Sequence, residues 1–391
     1  MADVAVAGGG PAGAACALAL ARAGLRVTLI ERAAFPRRKV CGEYLNGGAV
    51  AALDRLGLAP AVRERATKLR GVRLVPPGAP AVELPFGHGA LACARATLDA
   101  LVLDAALAAG VTLVRGRVED VLREGGRVAG LRLRRDDGGT DDVRARWTIG
   151  ADGCGSVVAR RAGLARPSRG PARFAVGGHY AGFGDLDGCV EMYVGGGAYF
   201  ALNPLGGGLT NVMVVVPKSA LAAWSADVDA GVSGKAAELG RGHRSFAAAQ
   251  RVGPRAALGP LAYAVRAPAA PGLLLAGDAA GFLNPFTGQG VFLALTSAEY
   301  AARAIVAVAR GEASEERAFG RYARERSADF AARKRLSAAV GALIEIAPLA
   351  RRAAANLARS PHLSATLVDA LAGLRAPQSA FTPAVLGKLV L

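Results

Sequence analysis

The run Gly8-Gly9-Gly10-Pro11-Ala12-Gly13 follows a strand-like stretch at 3–7 and precedes an apolar, helix-like stretch at 14–23 that Gly24 closes. Glycines at 8, 10 and 13 suit the binding of a diphosphate. Gly8 permits the tight turn out of the strand. Gly10 lets the backbone approach the ligand, and Gly13 lets the helix lie close on the strand. The N-terminus of that helix, with Pro11 and Ala12, offers unpaired N–H groups and a partial positive charge to phosphates. Residues 26–30 read as a second strand, and Glu31 at its end can accept hydrogen bonds from ribose hydroxyls. An acid there favours a free 2′-hydroxyl, so FAD or NAD over NADP. Strand, loop, helix, strand and acid fall in register, which lifts the glycine pattern above a chance turn.

Two distant segments add to this. One is Ile149-Gly150-Ala151-Asp152-Gly153-Cys154-Gly155-Ser156. The other is Leu275-Ala276-Gly277-Asp278-Ala279-Ala280-Gly281-Phe282, continuing through Asn284-Pro285-Phe286-Thr287-Gly288-Gln289-Gly290. With the glycine loop and Glu31-Arg32, they resemble the "DG" and "GD" motifs of the flavoprotein family that includes aromatic-ring hydroxylases, flavin halogenases and geranylgeranyl reductases. The resemblance covers about residues 1–310, in the family's order.

It implies an FAD cofactor. Gly277 and Asp278 would meet the ribitol. Pro285, Gly288, Gln289 and Gly290 would lead into a helix over 291–309 whose N-terminus faces the flavin N1/C2 region. That suits a reduced flavin, which is an anion. Asp152 and Gly153 would lie near the diphosphate, where NAD(P)H approaches as a transient reductant. Arg95 resembles the family arginine that touches FAD at a helix start; a solvated helix-end arginine is the alternative. The segment Pro36-Arg37-Arg38-Lys39-Val40-Cys41-Gly42-Glu43-Tyr44-Leu45 resembles the KxCGE stretch of the prenyl-reductase and halogenase branches. There it would place Arg38, Cys41 and Gly42 beside the isoalloxazine. Cys41 is either a working thiol or a small packing residue, and Tyr44 either faces substrate or packs under the loop.

The elements that must hold these groups define an α/β chain. A Rossmann-like FAD-binding domain is expected to be discontinuous, over 1–70, 93–170 and 271–320. An antiparallel β-sheet substrate domain takes 71–92 and 171–270, and a helical segment takes 321–391. Within the first, a helix over 98–109 precedes strands near 112–114, 118–123, 128–133 and 143–149, split by Gly-rich turns. Within the second, strands near 174–180, 190–194, 199–203 and 210–216 would roof the flavin, with turns at 195–197 and 206–208. His179, Tyr180, Tyr193, Tyr199 and Asn203 are candidate pocket residues. Ordinary packing is the competing reading for each. The apolar stretch 336–347 caps the pocket, joins a dimer, touches a membrane or simply packs between helices.

Net charge is +17 over 391 residues, with a sequence pI of about 10.5. Nearly all of the positive charge is arginine, dispersed and without interleaved aromatics, so no nucleic-acid partner is expected. A solvated basic surface is the first reading and peripheral contact with anionic lipid the second. Five cysteines without a CxxC pair, and four scattered histidines, argue against disulfides and a metal site. The chain opens on a strand and not on a basic leader. No run reaches about 18 uncharged apolar residues. A cytoplasmic monomer or homodimer follows as the expectation.

A second nicotinamide-type glycine motif, a redox CxxxxC pair and the halogenase WxWxIP motif are all missing; the tryptophans are Trp147 and Trp224. Two reactions remain. The first is hydroxylation of an aromatic or polyketide-like substrate through a flavin C4a-hydroperoxide, with NAD(P)H as reductant. The second is hydride transfer to a C=C bond of a prenyl lipid. Gln289 is the hydroxylase-like choice. Gly281, where many hydroxylases carry histidine, is reductase-like, and the reductases' aromatic stripe survives only in part as Tyr199-Phe200-Ala201-Leu202-Asn203-Pro204. The resemblance leans to the monooxygenase.

Overall fold

The computed structural model describes residues 2–167, 173–195, 197–224, 227–241, 243–244 and 246–390. The expected 170/171 domain boundary and Gly196 of the 195–197 turn lie outside them.

One eight-stranded sheet carries the nucleotide-binding elements. Ala2–Ala7 lies at its centre, parallel to Val27–Glu31 on one side and Thr140–Gly150 on the other. Thr112–Arg115 and Leu273–Leu275 extend it in parallel at either flank. Arg117–Glu124 and Arg127–Arg134 form an antiparallel meander running into Thr140–Gly150. The helix Pro11–Arg22 begins three residues earlier than the apolar pattern indicates. Proline is well suited to the first helical position, because its missing N–H would have no partner there anyway. This helix packs against Arg95–Ala108 and Gly290–Ala309. Its alanines at 14, 15 and 17 are buried to within 2% exposure. Gly290–Ala309 is apolar and long enough to cross a bilayer, yet 72% of its most apolar stretch is buried, as in a core helix.

A second eight-stranded sheet stands over the first. Its strands run, in spatial order, Gln250–Leu258, Arg173–Ala181, Leu209–Pro217, Ala198–Gly206, Cys189–Gly195, Thr67–Val75, Val82–Ala92 and Tyr44–Leu45. It is mixed, since Cys189–Gly195 runs parallel to Thr67–Val75. The strand Thr67–Val75 crosses the boundary expected at residue 70. Gln250–Leu258 escapes the sequence pattern because it is an edge strand, almost wholly exposed and carrying Gly253 and Pro254.

The pleat sorts this sheet into two faces. Ala175, Val190, Met192, Tyr199, Ala201, Met213 and Val215 point toward the nucleotide-binding part. Val176, Tyr193, Phe200, Leu202, Val212 and Val214 point the other way, onto Phe246, Trp224 and Leu239. On that outer face Glu191, 0% exposed, is ringed by Arg73 (2.7 Å) and Arg244 (2.8 Å) and accepts from the Tyr193 hydroxyl.

The C-terminal part begins with Glu315–Glu345, a 31-residue helix capped by Ser314, whose hydroxyl accepts from the Arg317 amide, with Glu315 and Glu316 in its first turn. Ala347–Arg359, Pro361–Leu371 and Pro383–Val390 follow and close back against Val82–Ala92.

Candidate active site

The glycine loop is built for close approach. Gly8 has φ +97°, and a Cβ on it would stand 2.6 Å from the Ala151 carbonyl oxygen. A Cβ on Gly13 would stand 1.9 Å from the Gly8 carbonyl oxygen. Glu31 is 7% exposed and accepts from the Gly9 and Ala33 amides, each at 2.8 Å. These bonds orient a carboxylate that still has lone pairs to offer. Glu31, Arg32, Gly8, Asp152, Cys154 and Arg160 line one concavity at this end.

Asp152 has structural work as well. It accepts from Ser156 and from the amides of Val157 (2.6 Å) and Val158 (3.2 Å), at the start of the short helix Val157–Arg161. Burial raises its pKa, and those bonds pull it back.

A second, mostly apolar cavity begins on the other side of the loop. Gly10, Pro11, Ala12, Gly153, Asp278, Gly288 and Gly290 line one end. It then runs between the inner face of the second sheet and the C-terminal helices, where Val340, Leu343, Ile344, Leu357, Leu367 and Leu371 form its far wall. Open at its mouth, it has a cavity volume of about 330 Å³. The stretch 336–347 therefore caps the pocket.

The segment 39–44 crosses the cavity, pinned by three neighbouring strands. Asn211 donates to the Cys41 carbonyl and Asn203 to the Gly42 carbonyl, each at 2.9 Å. His179 Nε2 lies 2.7 Å from Glu43 Oε2. His179, Asn211 and Asn203 sit directly opposite one another across adjacent strands. One polar row thus holds three consecutive residues. Glu43, 4% exposed and at φ +55°, also accepts from the Arg95 amide (2.8 Å). Arg95 is buried in a two-point ion pair with Asp99 at 2.7 and 2.8 Å and lines the cavity.

Tyr44 and Tyr199 both line the cavity. Gly288, at φ +63°, leaves room for Tyr44: a Cβ there would be 2.6 Å from its ring. The Tyr199 ring meets Phe286 edge-on at 5.1 Å, and its buried hydroxyl has no hydrogen-bond partner among the described residues. Burial pushes both phenols above the usual tyrosine range.

Several expectations change. Tyr180 and Tyr193 face outward; Tyr180 packs on Phe183 at 6.1 Å. Arg38 turns away from the cavity and donates to the Val252 carbonyl (3.3 Å). Gln289 is 1% exposed and points into the C-terminal helices, donating to Thr287 (3.0 Å) and accepting from Arg333 (3.1 Å). Its side chain therefore gives no argument about oxygen chemistry. His179 grips Glu43 instead of lining the cavity. Lys39 is the first residue of the KxCGE-like stretch, whereas Asn211 and Arg326 carry no local motif, and only the fold brings them to the site.

Lys39 and Asp278 complete the polar end of the cavity. Burial, with Arg95 and Arg37 nearby, lowers the Lys39 pKa against the pull of Asp278. Burial raises the Asp278 pKa against Lys39, Arg95 and Arg326. Among the described residues neither side chain makes a hydrogen bond or ion pair. A cradle that any Cβ would fill, an oriented Glu31 and an unpaired, half-buried Asp278 fit a dinucleotide with a polyol arm.

Fold and site together define a flavoprotein oxidoreductase. Residues 1–335 match the FAD binding domain family, and the chain belongs to it. It is 34% identical over 322 residues to a menaquinone reductase of Mycolicibacterium smegmatis, covering 77% of this chain and 75% of that protein. It is 32% identical over 328 residues to digeranylgeranylglycerophospholipid reductase 2 of Methanopyrus kandleri, covering 78% and 77%. A solved flavin-dependent brominase, Bmp2, has the same fold, with a TM-score of 0.84 at 23% identity over 96% of each chain.

Proposed function

We propose that this FAD-dependent oxidoreductase reduces a C=C bond in the isoprenoid chain of a lipid. The observation that carries this reading is the apolar gallery leading from the polar end of the cavity to the C-terminal helices. Its apolar lining, drawn from the second sheet and the C-terminal helices, suits a hydrocarbon chain. The reductases of menaquinone and digeranylgeranylglycerophospholipid among its relatives support the same choice. Gly281, which lines the cavity at φ +127°, suits it as well.

Bound FAD, once reduced, supplies a hydride. NAD(P)H is the reductant we propose for it. The chain itself would hold the cofactor through the Gly8–Gly13 loop, Glu31 and Asp278. Gly288 and Gly290, at the start of the helix Gly290–Ala309, add a favourable potential for negative charge. The row His179–Asn211–Asn203 fixes the segment 41–43 against it. Val340, Leu343, Ile344 and their neighbours exclude water and align the chain.

The test is the mass of the product. Holoenzyme, NAD(P)H and a geranylgeranyl lipid should give a lipid richer by one molecule of hydrogen. A product that has gained oxygen would replace this reading with hydroxylation.

A further inference from the structure

The helix Glu315–Glu345 sends one more group into the cavity. Arg326 is 8% exposed and lines it beside Asp278 and Gly281. Phe330 covers one face of its guanidinium, 4.4 Å from the ring centre. Among the described residues Arg326 makes no hydrogen bond or ion pair, so its N–H edges are left for something within the cavity. Among the described residues the other buried arginines are paired: Arg95 with Asp99, Arg333 with Asp329 and Gln289. Burial lowers the Arg326 pKa, with Tyr322, Asp278 and Asp329 opposing. A buried guanidinium without a partner is costly, and a planar fork of donors is suited to phosphate. Gly281 makes the room: a Cβ there would stand 3.3 Å from the Phe330 ring and 3.6 Å from Arg326 Nη2. Lys39, also without a hydrogen bond or ion pair, approaches Asp278 as a second cation and lies 3.3 Å from the Cβ position of Gly153.

We infer that Arg326, with Lys39 across Asp278, forms a seat for a phosphate-type anion, so that the C-terminal helix completes a ligand site begun by the glycine loop. Two sources share that chemistry: the diphosphate of the cofactor and a phosphate on the isoprenoid lipid. The cofactor is favoured, because Pro11 and Ala12, at the N-terminus of the nucleotide helix, line the same cavity. The inference rests on the FAD reading.

The experiment compares wild type, Arg326→Met and Arg326→Lys. Apoprotein is titrated with FAD and with riboflavin by flavin fluorescence. Holoenzyme is titrated with geranylgeranyl diphosphate and geranylgeraniol by the flavin absorbance change. With the cofactor as source, Arg326→Met weakens FAD by roughly 10- to 100-fold and leaves riboflavin unchanged. Arg326→Lys restores part of the loss. With the lipid as source, FAD is unchanged and only the diphosphate lipid weakens. Equal loss of FAD and riboflavin, or no change in any titration, overturns the seat. A wild-type chain that takes up no flavin removes the FAD reading itself, a result distinct from either.

Discussion

Glu31 and Asp278 are acids of opposite habit. Glu31 is held by two backbone amides before any ligand arrives. Asp278 is half-buried, with no hydrogen bond among the described residues, and desolvation raises its pKa. Glu31→Ala should weaken FAD by roughly 10- to 100-fold, the worth of hydrogen bonds to a charged group; equilibrium dialysis of the refolded variant checks it. Asp278→Asn should weaken FAD too, yet stabilise the apoprotein. A raised carboxylate pKa means that the folded chain keeps its proton to higher pH than the unfolded chain. Stability is therefore lost as pH climbs from the ordinary value of 3.8 toward the folded one. The melting temperature of apo Asp278→Asn should exceed wild type at neutral pH, and the gap should close toward acid. Both acids were legible in the sequence: Glu31 ends the strand that follows the glycine loop and its helix, and Asp278 stands in the segment that resembles the GD motif. Arg326 was not: it lies mid-helix among many arginines, and only the folded chain sets it beside Asp278.

At the scale of elements, alternation along the second sheet decides which residues meet the ligand. Four of its strands were read from Gly-rich turns, but the facing could not be, because both faces are apolar and period-two contrast is lost. Tyr193 and Tyr199 both looked like pocket residues; one fills the outer core and the other the cavity. The outer face carries its own test. Burial raises the Glu191 pKa, but Arg244, Tyr193 and Arg73 outweigh it, and the net shift is downward. Glu191→Gln should cost about 1–3 kcal/mol, since it removes the carboxylate that Arg73 and Arg244 share while Arg73 keeps Asp187 and Arg244 keeps the Phe183 carbonyl; chemical denaturation measures it. The sign for acid also follows: a lowered pKa means that this stabilisation is lost as pH falls. On the inner face, Asn203→Ala with Asn211→Ala should loosen the segment 41–43. The expected signature is a shifted flavin absorption spectrum in a chain that still melts cooperatively. An unchanged spectrum would show that the polar row does not position the cofactor.

Across the whole molecule, two sheets and a helical C-terminal segment enclose one cavity between them. The nucleotide-binding half was readable because its motifs are local and ordered along the chain. The far wall was not, because helices with apolar residues on several faces give no clue to what they cover. Yet that wall sets the size of the substrate. Leu343→Trp should shorten the longest isoprenoid reduced while sparing short ones; a geranyl-to-geranylgeranyl series with product analysis reads the cut-off. Equal loss at every length would place Leu343 outside the path of the chain.

The most direct measurement is made without oxygen. Holoenzyme reduced with one equivalent of dithionite is mixed under argon with a geranylgeranyl lipid while flavin absorbance is followed. Reduction of the C=C bond predicts return of oxidised flavin and one saturated bond per flavin. Flavin that stays reduced under argon, and reoxidises only when oxygen enters together with an oxygenated product, would contradict it.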